Sequence, residues 1–209
     1  MITHHKKRSN PAAGNLRTEL VNVAVRMLET DGSDALSLRR VARMAGVSHM
    51  APYRHFDSKD ALLAAVAETG FRDLVAAMDA AVSHEETRGL KSRAIGLSYI
   101  HFARQRPALY RLMFGSQFSD ESRFPDLAVA MKLARERSFA AVSLLHATAG
   151  QPPEGKADLI GVAMWSLVHG LANLLIDGQL ELPPGAVSED AFIEGVLDML
   201  AGAASADSG

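Results

Sequence analysis

One glycine constrains this chain more than any other residue. Residues 37–60 read SLRRVARMAGVSHMAPYRHFDSKD, with Gly46 between two helix-length segments. Ser37 suits an N-cap, and Val41, Ala42 and Ala45 give residues 38–45 an apolar stripe that leaves Arg39, Arg40 and Arg43 outside. Gly46 then ends that helix, since glycine enters the left-handed region without a Cβ penalty. Val47 points back into the angle between the segments. Ser48 caps a second short helix, expected over residues 49–56. Ala42 is small where the two helices must touch. The pattern predicts a helix-turn-helix, with an ordinary helical hairpin as the alternative.

The continuation of the turn selects between them. From Gly46 to Leu62 the sequence matches the pattern G-V-S-x-x-x-[LP]-Y-x-H-F-x-[SD]-K-[ED]-x-L, carried by Gly46, Val47, Ser48, Tyr53, His55, Phe56, Lys59 and Leu62. In this it resembles the tetracycline-repressor-like (TetR/AcrR) family of bacterial regulators. The resemblance implies a dimeric, sequence-specific DNA-binding transcriptional regulator, more commonly a repressor, whose partners are a palindromic double-stranded operator and a small effector. No cofactor is implied. It departs from the family at Ala51-Pro52, where members commonly carry Thr-Leu. Ala51 lacks a hydroxyl and offers a methyl suited to a thymine methyl. Pro52 removes a backbone donor and restricts Ala51, so the recognition segment is expected to begin irregularly.

Contacts to DNA divide into phosphate and base contacts. The phosphate set is expected from Ser37, Tyr53, His55 and Lys59, the last just after a helix cap where free N–H groups favour an anion. The base-reading set is expected from Ser48, His49, Met50 and Ala51, with Arg39 and Arg40 from the preceding helix. Phe56 is expected in the core. Charge distribution agrees with this polarity. Residues 1–60 carry 10 Lys+Arg against 6 Asp+Glu, a net of +4, although the whole chain has a formal charge of −2. A basic end on an acidic body suits phosphate contact at that end. Lys6, Lys7 and Arg8 form a basic cluster in residues 1–14, either a solvated tail or an arm reaching DNA.

The remainder reads as all helix. Residues 16–30 form an amphipathic helix with Leu20, Ala24 and Leu28 on its apolar side. Ser58 caps a long helix over residues 59–83, with Gly70 as a candidate bend. Further helices are expected at residues 88–104, 107–115, 125–149, 156–177 and 188–203, divided by proline- and glycine-containing breaks. No alternating strand pattern occurs. The expected fold is therefore all-α: an N-terminal three-helix helix-turn-helix module over residues 14–74, and a C-terminal helical ligand-binding and dimerisation domain over residues 80–205. Residues 159–176 lack a charged side chain and reach the lower edge of spanning length. Ser166, His169 and Asn173 interrupt them at helical spacing, which favours a buried bundle helix over a membrane span. With no cysteine and a polar start, a cytoplasmic location is expected.

Trp165-Ser166-Leu167-Val168-His169-Gly170 and the 106–114 run resemble the Trp–His–Gly (WHG) type of C-terminal domain within the same family. Ser166, His169, Asn173 and Asp177 share one stripe. His169 and Asn173 either line an effector cavity or an intersubunit network, or His169 is satisfied by a backbone carbonyl. Phe102, Tyr110, Met113, Phe114, Phe118, Phe139 and Trp165 could wall a largely apolar pocket, although each also suits an ordinary core. The final two helices are the expected homodimer surface.

An enzyme is the main rival class. The chain has no glycine-rich phosphate loop, no H-E-x-x-H and no G-x-S-x-G. Gly96-Leu97-Ser98-Tyr99-Ile100 lacks the second glycine of a nucleophile elbow. The other rival is a helical ligand-sensing or interaction protein whose helix-turn-helix no longer binds a specific operator.

Overall fold

The computed structural model describes residues 13–146, 156–180 and 188–206. The basic arm around Lys6 and much of the breaks near residues 150 and 183 lie outside these. Among the described residues there are eight α-helices, three short 3-10 turns and no strand, so the all-α expectation holds. The chain divides into two compact units, Met1–Val66 and Ala67–Gly209.

The first unit contains α1 (Ala13–Asp31), α2 (Leu38–Ala45), a 3-10 turn at Pro52–Arg54 and the beginning of α3 (Lys59–Ser83). Helix α1 packs on α2, and α2 on the Pro52–Arg54 turn. Its core follows the periodic apolar positions: Leu20, Ala24, Leu28, Val41, Ala42 and Phe56 are all buried. Each large apolar side chain so buried contributes roughly 1.5–3 kcal/mol relative to exposure. Phe56 is thus in the core, as expected, with the Arg17 guanidinium 5.5 Å from its ring centroid.

The second unit holds the rest of α3, α4 (Arg88–Gln105), α5 (Pro107–Met113), 3-10 turns at Ser116–Phe118 and Glu121–Arg123, α6 (Pro125–His146), α7 (Lys156–Ile176) and α8 (Glu189–Ala206). Helix α4 is central and packs against α5, α6, α7 and α8. Thr87 caps it by accepting from the Leu90 N–H at 3.2 Å. Pro107 occupies the first turn of α5, where a missing N–H costs little. Helix α5 ends two residues earlier than expected, and the following break contains the two 3-10 turns.

Gly70 has a packing reason, and one expectation needs correction. Helix α3 runs through Gly70, whose backbone lies against Met113; an added Cβ would come within 2.6 Å of Met113 Sδ. The Met113 side chain packed against it leaves no room for a larger residue there. Helix α7 is not enclosed within the chain. Leu159 is 72% exposed, and Val162, Leu167 and Leu174 are exposed too. By length and composition this is the one described helix apolar enough to cross a membrane, but Val168 and Ala172 are buried against the other helices of its unit.

Candidate nucleic-acid interface and interior cavity

The turn between α2 and the Pro52–Arg54 segment is built from local chemistry. Ser37 Oγ accepts from the Arg40 N–H at 3.2 Å and starts α2. Gly46 ends α2 with φ 70°, in the left-handed region, and the Val47 N–H donates to the Ala42 carbonyl at 3.0 Å. This is the C-terminal cap geometry in which glycine costs least.

The second helix differs from its expected form. Instead of an α-helix over residues 49–56, His49 and Met50 form a turn and Pro52–Arg54 a single 3-10 turn. The Ala51 N–H donates to the Ser48 carbonyl at 3.0 Å, and the His55 and Phe56 N–H groups both donate to the Pro52 carbonyl at 2.9 Å. Pro52 has no N–H to return to Ser48, so the α-helical ladder cannot start there. Ala51 adopts φ −61° and ψ −44°, the region that a following proline disfavours. The irregularity expected from Ala51-Pro52 therefore extends through the segment.

Among the ten expected DNA-facing residues, Ser37, Arg39, Ser48, His49, Met50, Tyr53 and Lys59 are exposed. Met50 is 55% and Tyr53 42% exposed, unusual for large apolar or aromatic side chains. Ala51 and His55 are half-buried, His55 with its ring centroid 6.5 Å from that of Phe56. Two cations are anchored inside the module. Arg40 donates to Asp31 Oδ2 at 2.7 Å and to the Ala35 carbonyl at 3.3 Å. Lys59 Nζ donates to the Ser33 carbonyl at 3.1 Å, which fixes the ammonium while leaving it further donors. Arg43, Met44 and Arg54 are exposed as well. They were not among the expected contacts, although the position of Arg43 and Met44 off the apolar stripe of α2 was a signal for them.

In the second unit the aromatic residues divide into core and cavity wall. Phe102, Tyr110, Met113 and Phe118 are buried. Phe114 and Trp165 line a cavity of about 90 Å³, together with Phe71, Leu74, Met131 and Arg135. A second cavity of about 40 Å³ is bounded by Gly96, Met164, Val168 and Leu197. Tyr99, Ser138 and Trp165 belong to both walls and so form the partition. Phe139 is half-buried and packs against Gly161.

Tyr99 was not among the expected site residues, yet it connects the polar interior. Trp165 Nε1–H donates to Tyr99 Oη at 3.3 Å, and the Tyr99 and Tyr110 oxygens are 3.3 Å apart. Tyr110 Oη lies 2.6 Å and Tyr99 Oη 3.0 Å from His169 Nδ1. Two donor orders complete the count, each with Trp165 donating to Tyr99 and each ending on a neutral His169 that accepts at Nδ1: Tyr99 to Tyr110 to His169, or Tyr110 to Tyr99 to His169. Burial favours this state. It lowers the His169 pKa below its ordinary 6.5 and raises that of Tyr99 to about 12. Burial also raises the Tyr110 pKa. His169 is therefore satisfied by tyrosine hydroxyls, where sequence allowed either a backbone carbonyl or a ligand. Asn173 Nδ2 donates to the His169 carbonyl at 2.8 Å, Ser166 Oγ to the Val162 carbonyl at 2.7 Å, and Asp177 pairs with Arg111. No group of three potential metal-ligating side chains occurs among the described residues.

Residues 20–66 match the family model of bacterial regulatory proteins of the tetR family, and residues 92–200 that of the tetracyclin repressor-like C-terminal domain. A nucleoid occlusion factor, SlmA from Serratia proteamaculans (strain 568), is 32% identical over 102 residues, covering 48% of this chain and 52% of the relative. The chain thus spans about half the length of the curated relatives it matches. A solved protein of unknown function from Rhodococcus sp. RHA1 is 30% identical with a TM-score of 0.79, covering 95% of this chain and 98% of that one. A TetR family transcription regulator from Marinobacter aquaeolei VT8 shares the fold at 20% identity and a TM-score of 0.64, covering 90% and 94% of the two chains. With both portions matched by models of one family, and the C-terminal match alone spanning half of the sequence, the chain belongs to the tetR family of bacterial regulatory proteins.

Proposed function

We propose that this protein is a cytoplasmic, homodimeric transcriptional repressor that binds a palindromic operator and is released by a small, mostly apolar effector. The observation that carries the DNA-binding part is the exposed set Ser48, His49, Met50 and Tyr53 on an intact capped turn, with Lys59 fixed beside it at the start of α3. Phosphate contacts are assigned to Ser37, Tyr53, His55 and Lys59. Base contacts are assigned to Ser48, His49, Met50 and Ala51, with Arg39 contributing. Arg40 is a weaker candidate, because binding a base would break its pairing with Asp31.

Dimerisation follows from the uncovered apolar surface of α7 and α8. Two modules spaced about one helical turn, roughly 34–36 Å, would read two half-sites. Phe71 and Leu74 on α3 line the larger cavity, and the same helix begins at Lys59. An effector that prefers a different module spacing would weaken DNA binding by its differential affinity for the two states. The second reading, loss of operator specificity, is favoured by one observation: the 3-10 form of Pro52–Arg54.

Selection of bound genomic fragments, followed by anisotropy titration with wild type and Tyr53→Phe/Lys59→Ala, tests the proposal. A short palindrome bound by wild type and much more weakly by the variant supports it. No enrichment over random DNA at moderate salt supports the second reading.

A further inference from the structure

The donors of Tyr99, Ser138 and Trp165 in the wall of the larger cavity are already committed within the chain. Tyr99 Oη accepts from Trp165 Nε1, so the indole N–H is used. The tyrosine protons are used in the chain ending at His169 Nδ1. Ser138 Oγ donates to the Ala134 carbonyl at 2.9 Å. The remaining wall of the larger cavity is hydrocarbon and aromatic: Phe71, Leu74, Phe114 and Met131.

Arg135 is the exception. It lines the same cavity and is exposed, so its side chain runs between the cavity wall and solvent. No ion pair or hydrogen bond engages its side chain among the described residues. Arg93, in the wall of the smaller cavity, contrasts with it: it is 3.3 Å from Asp198 and 4.0 Å from Glu194. One cavity therefore combines an apolar interior whose donors are all committed with a single unpaired cation at its rim. A guanidinium recognises a carboxylate through two parallel N–H donors.

We propose that the effector is a small apolar carboxylate, its hydrocarbon or aryl body against Trp165 and Phe114 and its carboxylate on Arg135. The inference rests on the effector reading above and specifies its chemistry. A neutral molecule of the same shape gains the apolar contacts alone. A ligand with polar groups along its body is disfavoured, because those groups lose water and meet committed partners. Displacement of the Tyr99–Ser138–Trp165 partition would join the two cavities and admit a longer chain.

Trp165 is the only tryptophan in the chain, so its emission reports on the cavity wall. The full-length protein is titrated with octanoate and phenylacetate and with their neutral amides, octanamide and phenylacetamide. The carboxylates are expected to bind about tenfold more tightly than the amides, the difference made by a charged hydrogen-bond partner. Arg135→Gln is expected to abolish that preference while leaving amide binding unchanged. Equal binding of acid and amide, a preference that survives Arg135→Gln, or no change in Trp165 emission with any probe overturns the proposal. Duplex anisotropy with the same acids separates the two levels. Acids that bind through Arg135 without changing duplex affinity sustain the ligand class and overturn release as its consequence.

Discussion

The Tyr110 and Tyr99 hydroxyls both lie within hydrogen-bond reach of His169 Nδ1, at 2.6 Å and 3.0 Å. Tyr99→Phe/Tyr110→Phe removes both with little loss of volume and leaves a half-buried nitrogen unpaired. The expected destabilisation is about 1–3 kcal/mol, the cost of a buried unsatisfied polar group, read as a lower urea midpoint at unchanged m-value. An unchanged midpoint would refute the network. Protonation should act on the same group. The folded-state pKa of His169 lies below 6.5, so in the window beneath 6.5 the unfolded chain binds the proton first. This contribution to stability is intact above that value and is lost as pH falls towards the folded pKa. Relative to His169→Gln, which has no titrating ring, wild type is expected to lose stability on acidification from roughly pH 8 to pH 5. A difference between the two proteins that does not vary with pH would sink this assignment. Tyr99 shows the limit of sequence reasoning at this scale. Its Gly96-to-Ile100 neighbourhood suggested only an incomplete catalytic elbow, and its partner His169 is 70 residues away. Long-range side-chain bonds leave no local periodicity to read.

Helix ends were legible because their causes are local. Ser37 and Ser58 cap the helices that follow them, and Gly46 takes the left-handed conformation that the turn requires. Gly46→Ala is expected to destabilise the first unit by roughly 1–2 kcal/mol, the cost of an L side chain in that conformation. Thermal denaturation monitored by circular dichroism checks it, and a melting temperature equal to wild type would contradict the strain argument. Residues 49–56 were harder to read for a related reason. Their composition and the resembled pattern both indicated an α-helix, and Pro52 signalled trouble only at its beginning. The 3-10 outcome depended on Ala51 taking the Ser48 carbonyl while His55 and Phe56 share that of Pro52, a competition among neighbouring bonds that propensity does not rank. Aromatic residue types in the C-terminal helices were legible too. Which of them bound a cavity was not: Phe114 and Trp165 do so, whereas Tyr110 and Phe118 are core, and only the packing of α4 against α6 and α7 decides between those positions.

Helix α7 raises a question that one chain cannot answer alone. Leu159, Val162, Leu167 and Leu174 are all exposed and, at 100° per residue, lie on one side of the helix. Met199 on α8 is 75% exposed. An exposed apolar helix face of this kind is costly in water and marks a binding surface. In a two-fold homodimer it would meet its own copy, so one substitution acts on both subunits. Leu167→Asp places a carboxylate in each half of that interface, unpaired and facing a like charge. Wild type is expected to sediment at twice the 22.4 kDa chain mass, and Leu167→Asp as the monomer with its circular dichroism spectrum retained. Loss of the second half-site contact should then weaken operator binding by about a hundredfold or more, the lower range for two linked binding modules. A Leu167→Asp protein that remains dimeric and binds the operator as wild type does would place the dimer surface elsewhere on the chain. A monomeric variant with unchanged operator affinity would instead refute the two-half-site mode of recognition.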